Sequence, residues 1–121
     1  MRGIGIDIAE VDRIAQKCQK AAFVKLAFTP TEEAYCNAQA KKHQSFAARF
    51  AAKEAYMKAI GLGWSNDAQF HEIEVYRLES GQPKLRLHGN SKEYFEKEGY
   101  TDILLTLSHT SQTAVAVVIV V

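Results

Sequence analysis

The sequence predicts an α+β fold: a compact single domain over residues 1–121, with an antiparallel sheet and a long central helix. Three observations point there. Helical patterns gather in the first half of the chain and strand patterns in the second, which separates the two element types instead of alternating them. Residues 45–60 form an alanine-rich stretch without Gly or Pro, ended by Gly61. The chain then closes on two Leu/Val/Ile runs, near 103–108 and 113–120, whose continuity suggests well-covered strands.

Ile4, Ile6 and Ile8 alternate with Gly3, Gly5 and Asp7, the period of a half-buried strand. A helix is expected from about Ala9 to Lys20. Thr29-Pro30-Thr31-Glu32-Glu33 marks a second helix start, with proline and acids in the first turn. The long helix follows over Ser45–Ile60. Strands are expected near Phe70–Leu78 and Lys84–His88, joined by the turn residues Ser80-Gly81-Gln82-Pro83. Asn90 or Ser91 caps a short helix that Gly99 stops, and the two apolar strands complete the domain.

Composition narrows the function classes. With 121 residues and 47% hydrophobic side chains, the chain folds without disulfides or a structural metal. Cys18 and Cys36 stand far apart in sequence and read as free thiols of a reducing compartment. No signal-peptide pattern opens the sequence, and the apolar tail from Ala114 to Val121 is too short to span a bilayer. A cytoplasmic protein without membrane association is the expectation. Net charge is only +1, yet residues 13–58 carry nine Lys/Arg against three acids. That asymmetry suggests either a positive face for an anionic partner or an ordinary solvated helical surface.

Two residues raise a chemical question. On a helical wheel Phe46, Phe50, Met57 and Ile60 form one apolar stripe, and Lys53 falls inside it. A buried ammonium needs a partner. Either Lys53 snorkels to water while Glu54 and Lys58 form a surface pair, or an anion such as phosphate docks beside the stripe. Asp7, on the glycine side of the first strand, lies where small neighbours admit a ligand or another backbone. It also fits a capping box as N-cap, with Glu10 at the third helical position. A hard cation such as Mg²⁺ takes one or two carboxylates plus waters and phosphate oxygens. Asp7 and Glu54 are candidates for that pair.

The run Gly3-Ile4-Gly5-Ile6-Asp7-Ile8-Ala9-Glu10-Val11-Asp12-Arg13-Ile14 resembles the N-terminal signature of holo-acyl-carrier-protein synthases. Arg49-Phe50-Ala51-Ala52-Lys53-Glu54-Ala55-Tyr56-Met57-Lys58-Ala59-Ile60-Gly61 resembles the second hallmark of the phosphopantetheinyl transferases. Phe28-Thr29, Ile73-Glu74-Val75, Gly81-Gln82-Pro83 and Leu107-Ser108-His109-Thr110 match in family order.

The resemblance implies the 4'-phosphopantetheinyl transferase fold, assembled as a homotrimer with active sites where subunits meet. The implied reaction moves the 4'-phosphopantetheine group of coenzyme A onto a serine of apo-acyl carrier protein, with Mg²⁺, releasing 3',5'-ADP. By carry-over, Asp7 and Glu54 hold the metal, and Glu54 helps remove the serine proton. Lys58 sits by the phosphates. Arg49, Lys53, Pro83, Ser108, His109 and Thr110 line the nucleotide pocket, and Gly61 and Gly63 let the following loop pass close to the cofactor. Arg13, Lys17 and Lys20 present a basic helix face to an acidic carrier protein, of fatty-acid, polyketide or other type.

Phosphoryl transfer asks mainly for alignment and charge neutralisation, and the carrier serine is itself the nucleophile. Ser108-His109 is therefore not read as a hydrolase pair; neighbours on a strand point to opposite faces. The sequence departs from the family at Leu26, where an arginine is common, at Gly61-Leu62-Gly63 followed by Trp64, and at Gln82. Two rivals frame the expectation. A non-catalytic trimeric coenzyme A-binding module predicts loss of Asp7, Glu54 or Lys58, and all three are present. A nucleic-acid-binding domain expects aromatics among exposed basic residues, whereas Phe46 and Phe50 read as core.

Overall fold

The computed structural model describes all 121 residues, Met1–Val121. Strand β1 (Gly3–Glu10) leads into α1 (Val11–Lys17), α2 (Ala21–Ala27) and α3 (Pro30–Asn37). The long α4 (Lys42–Ile60) follows, then a 3-10 turn at Phe70–Glu72 and the hairpin β2 (Ile73–Arg77) and β3 (Pro83–Leu87). Helix α5 (Gly89–Lys97) and strands β4 (Ile103–His109) and β5 (Thr113–Val120) complete the chain. β1, β5 and β4 form one antiparallel sheet in that order, and β2 pairs antiparallel with β3 in a second. The α+β class and the antiparallel pairing agree with the sequence.

Helix α4 packs across β1 and β5, and residue size explains how closely. A Cβ placed on Gly3 would fall on the carbonyl oxygen of Ala59, and one on Gly5 on that of Ala55. Glycine on the strand and alanine on the helix therefore bring the two backbones together. Ala51, Ala52 and Ala55 are fully buried in this layer, and Ala114, Ala116, Val118 and Val120 of β5 face it from the sheet. Gly61 ends α4 in the left-handed region, with φ of 76°, the conformation that a helix-terminating glycine supplies.

The buried side of β1 is thus its glycine side. Ile4, Ile6 and Ile8 point away from the helix and remain 57%, 55% and 64% exposed. They pair in register with Ile119, Val117 and Val115 of β5, which makes a continuous apolar outer face on the sheet. β5 is central, whereas β4 is an edge strand whose alternate side chains are exposed, so only the first of the two apolar runs is half-covered.

Further expectations change, among them the N-cap of α5, which is His88 and not Asn90 or Ser91. β1 runs on through Glu10, so the helix expected over Ala9–Lys20 is α1 alone, and α2 follows as a separate helix. Asp7 is not an N-cap: Glu10 holds that position and makes no side-chain cap. The capping box lies instead at Thr29, whose hydroxyl accepts from the Glu32 amide while the Glu32 carboxylate accepts from the Thr29 amide. Cys18 and Cys36 are both free.

Candidate active site

Strand register sets Asp7 opposite Ala116 with its carboxylate turned to α4. Lys58, on the last turn of that helix, places Nζ 3.1 Å from Asp7 Oδ1 and 3.0 Å from the Ile6 carbonyl oxygen. Glu54 stands one turn earlier on the same helix, half-buried, on the one polar strip that α4 keeps. Asp7, Glu54, Glu10, Arg13, Lys17 and Phe50 together wall a cleft of about 480 Å³.

Burial pushes the Glu54 carboxyl above its ordinary pKa and the nearby Asp7 charge pushes it further, while Lys58, Lys17 and Arg13 pull it back. Two carboxylates therefore share the cleft, their mutual repulsion partly offset by Lys58, Lys17 and Arg13. The chain has no cluster of three or more His, Cys, Asp or Glu side chains that could cage a metal. A pair of carboxylates with room for waters and phosphate oxygens suits Mg²⁺, which binds few protein ligands and keeps several waters. The donor set fits that ion.

A second cleft, of about 200 Å³, opens on another face of α4. Arg49 is its floor: 2% exposed, with its guanidinium 4.2 Å from the centre of the Tyr35 ring and its Nε without a hydrogen-bond partner. His109, at the end of β4, lines the same cleft with Lys41, Gln44, Ser45 and Arg77, and no acid does. A buried guanidinium with an unsatisfied donor, in a cleft that no carboxylate lines, leaves room for an anionic group. Pro83 pairs in register with Arg77 but does not itself line this cleft.

The structure therefore joins Asp7, Glu54 and Lys58 in one place, and Arg49 with His109 in another. No residue lines both clefts. Ser108 and Thr110 line neither: Ser108 pairs in register with the half-buried Val115 on the outer sheet face, and the Thr110 hydroxyl accepts from the amides of Gln112 and Thr113 inside the β4–β5 turn. Space is open around the position a Cβ would take at Gly61 and Gly63. Arg13 and Lys17 of α1 stand at the rim of the first cleft, while Lys20 lies past the end of α1, as the residue that precedes α2.

Lys53 is a correction. It lines neither cleft. Its side chain is fully buried, with Nζ 2.6 Å from Glu32 Oε1, 2.7 Å from the Ala27 carbonyl oxygen and 2.8 Å from that of Phe70. All three ammonium protons are used within the protein. Burial depresses the Lys53 pKa and the Glu32 charge opposes that depression. The partner that the apolar stripe calls for is thus an internal carboxylate. Glu32 gave no sign of this in sequence beyond being an acid within a basic stretch. Lys41 and Arg77, which line the second cleft, carry no sequence signal beyond their charge.

The sequence profile of the 4'-phosphopantetheinyl transferase superfamily matches residues 3–118. The chain belongs to this family. Its sequence is 45% identical over 119 residues to a holo-[acyl-carrier-protein] synthase of Solibacter usitatus, covering 97% of this chain and 95% of that one. Its fold superposes on the crystal structure of holo-[acyl-carrier-protein] synthase from Neisseria meningitidis with a TM-score of 0.92, at 30% identity, covering 99% of this chain and 98% of that chain. The Helicobacter pylori synthase, solved in complex with coenzyme A, gives a TM-score of 0.85 at 31% identity, over 98% of this chain and 99% of that chain. Membership makes the chain an enzyme, a phosphopantetheinyl transferase. No helix in it is long and apolar enough to cross a membrane.

Proposed function

We propose that the enzyme transfers the 4'-phosphopantetheine group of coenzyme A to a serine of an acidic apo-acyl carrier protein in the cytoplasm, with Mg²⁺ bound by Asp7 and Glu54. The observation that carries this reading is the convergence of Asp7, Glu54 and Lys58 at a cleft rimmed by the basic helix α1. When bound, Mg²⁺ supplies charge neutralisation and alignment for the pyrophosphate. The chain's own residues do the rest. Glu54 accepts the proton of the attacking serine hydroxyl, directly or through water. The serine oxygen forms a bond to the β-phosphorus, the bond from that phosphorus to the bridging oxygen breaks, and 3',5'-ADP leaves with the bridging oxygen. Lys58 offsets the charge that develops on the leaving phosphate.

The nucleotide needs a second set of contacts, and the acid-free cleft of Arg49 and His109 is suited to its phosphate. Because the two clefts are separate in one chain, a complete site draws the first from one subunit and the second from a neighbour. The outer face of Ile4, Ile6 and Ile8, more than half exposed and continuous with Val115, Val117 and Ile119, offers the apolar surface that a homotrimer would bury.

An intact-mass assay tests the reading. Purified enzyme, an apo-acyl carrier protein, coenzyme A and Mg²⁺ are expected to raise the carrier mass by one phosphopantetheine. The gain should vanish with chelator and in Glu54→Gln, whose fold should be intact. Full turnover by Glu54→Gln removes that residue from the site. Coenzyme A binding without transfer to any carrier would leave a nucleotide-binding module.

A further inference from the structure

Trp64 is the chain's one tryptophan, and 60% of it is exposed on the loop that leaves α4 after Gly61. It is not an isolated surface aromatic. Its ring lies 6.0 Å from that of Phe70, which stacks at 5.1 Å and 12° on Phe50. Phe50 walls the Asp7–Glu54 cleft, and Phe23 packs against it at 5.8 Å. Lys17 Nζ stands 5.6 Å from the Phe23 ring and 5.7 Å from Phe50, so the basic helix and the aromatic row form one band. One end of the band is the candidate catalytic cleft. The other is an exposed indole.

We propose that Trp64 is an apolar anchor for the carrier protein, and so sets which carriers the enzyme accepts. The inference rests on the reading that Arg13, Lys17 and Lys20 dock an acidic protein at this cleft. Size and charge select the occupant. Trp64 lies outside the cleft lining and joins it only through Phe70 and Phe50. A protein whose serine enters the cleft also covers its rim, and the band offers such a partner cations at α1 and, past the buried Phe70, the exposed Trp64 indole. The matching surface is acidic, with an apolar side chain placed to meet the indole. Tryptophan on such a surface concentrates binding energy, because a large rigid area is buried at little cost in side-chain entropy.

Steady-state kinetics by intact mass, with coenzyme A and carrier varied separately, test this in the parent, Trp64→Ala, Trp64→Phe and Lys17→Glu. Trp64→Ala should raise the carrier KM by about tenfold, hold the coenzyme A KM, and be largely rescued in Trp64→Phe. In the parent, tryptophan emission should shift to the blue on titration with apo-carrier and not with coenzyme A, a readout that needs no variant to fold. An unchanged carrier KM in Trp64→Ala beside a raised one in Lys17→Glu overturns the anchor and leaves the basic docking face standing. Unchanged values in both overturn the docking face, and the anchor with it. A raised coenzyme A KM, or an emission shift with coenzyme A alone, assigns Trp64 to the pantetheine arm and overturns the proposal.

Discussion

Lys53 Nζ lies 2.6 Å from Glu32 Oε1, and neither side chain is exposed to solvent. The pair joins more than two residues. The Glu32 carboxylate also accepts from the amides of Thr29 and Val75, and the Lys53 ammonium donates to Ala27 and Phe70. One ion pair therefore ties the end of α2, the cap of α3, the 3-10 turn at Phe70, the middle of β2 and the middle of α4. A lysine matched by substrate phosphate would make Lys53→Met at least as stable as the parent. A lysine matched by Glu32 makes it worse, since a buried carboxylate loses its counter-charge. The expected loss is about 3–5 kcal/mol, read by urea unfolding. Adding Glu32→Gln should recover part of it, and a Lys53→Met variant of parental stability would sink this account.

Gly5→Ala tests the close approach of strand and helix. The added methyl meets the carbonyl oxygen of Ala55 and the Ala59 amide, which are backbone atoms of a well-packed helix and cannot swing aside. Overpacking in a core ordinarily costs about 1–3 kcal/mol because side chains shift; here the whole of α4 must move. The variant should exceed that range and distort the Asp7–Lys58 contact, which spans the same interface. Thermal unfolding and transfer activity check both effects, and a variant matching the parent in each would show that the two backbones can separate freely.

These cases mark what the sequence makes legible. Element types follow from period and punctuation: Thr29-Pro30 starts a helix, Gly61 ends one, and the alternation at Ile4 to Ile8 is a strand. Which face of a strand is buried does not follow, because it depends on what lies opposite. At β1 the alanine row of α4 selects the glycines and leaves the isoleucines outside. Lys53 is the same lesson at a charged position. The stripe shows that it needs a partner, but Glu32 is 21 residues away, and only the packing of α3 on α4 brings it in. Asp7, Glu54 and Lys58 were legible because two family-like motifs carry them, whereas Lys41 and Arg77 gain meaning only beside the buried Arg49.

Ile6→Asp addresses the proposed trimer. Ile6 is 55% exposed and pairs across the sheet with Val117, so a charge there leaves the single-chain core untouched while opposing burial of the outer face. Sedimentation velocity should show the parent as a trimer and the variant as a folded monomer. Transfer should fall with dissociation, since the Arg49–His109 cleft of one subunit would no longer meet the Asp7–Glu54 cleft of the next. A monomeric, fully active parent would remove the shared-site arrangement.

Glu74 gives the fold an acid-sensitive point. Burial raises its carboxyl pKa, but hydrogen bonds from His88 and from the Thr29 hydroxyl, with the charges of His88 and Arg86, outweigh that effect and hold it below the usual 4.5. Its oxygens lie 2.8 Å from both His88 Nε2 and Thr29 Oγ1. A carboxyl whose folded pKa is depressed releases its proton more readily in the folded state than in the unfolded one. The stabilisation is therefore fully present above the unfolded value of 4.5 and is lost as pH falls through the lower folded value. Glu74→Gln should be less stable than the parent near neutrality, and the gap should close as the medium is acidified from pH ~7 towards ~3. Unfolding midpoints of both proteins across that range measure the gap. A difference that stays constant down to the lowest pH would mean that the ionisation of Glu74 contributes nothing, and that its contacts act as neutral hydrogen bonds alone.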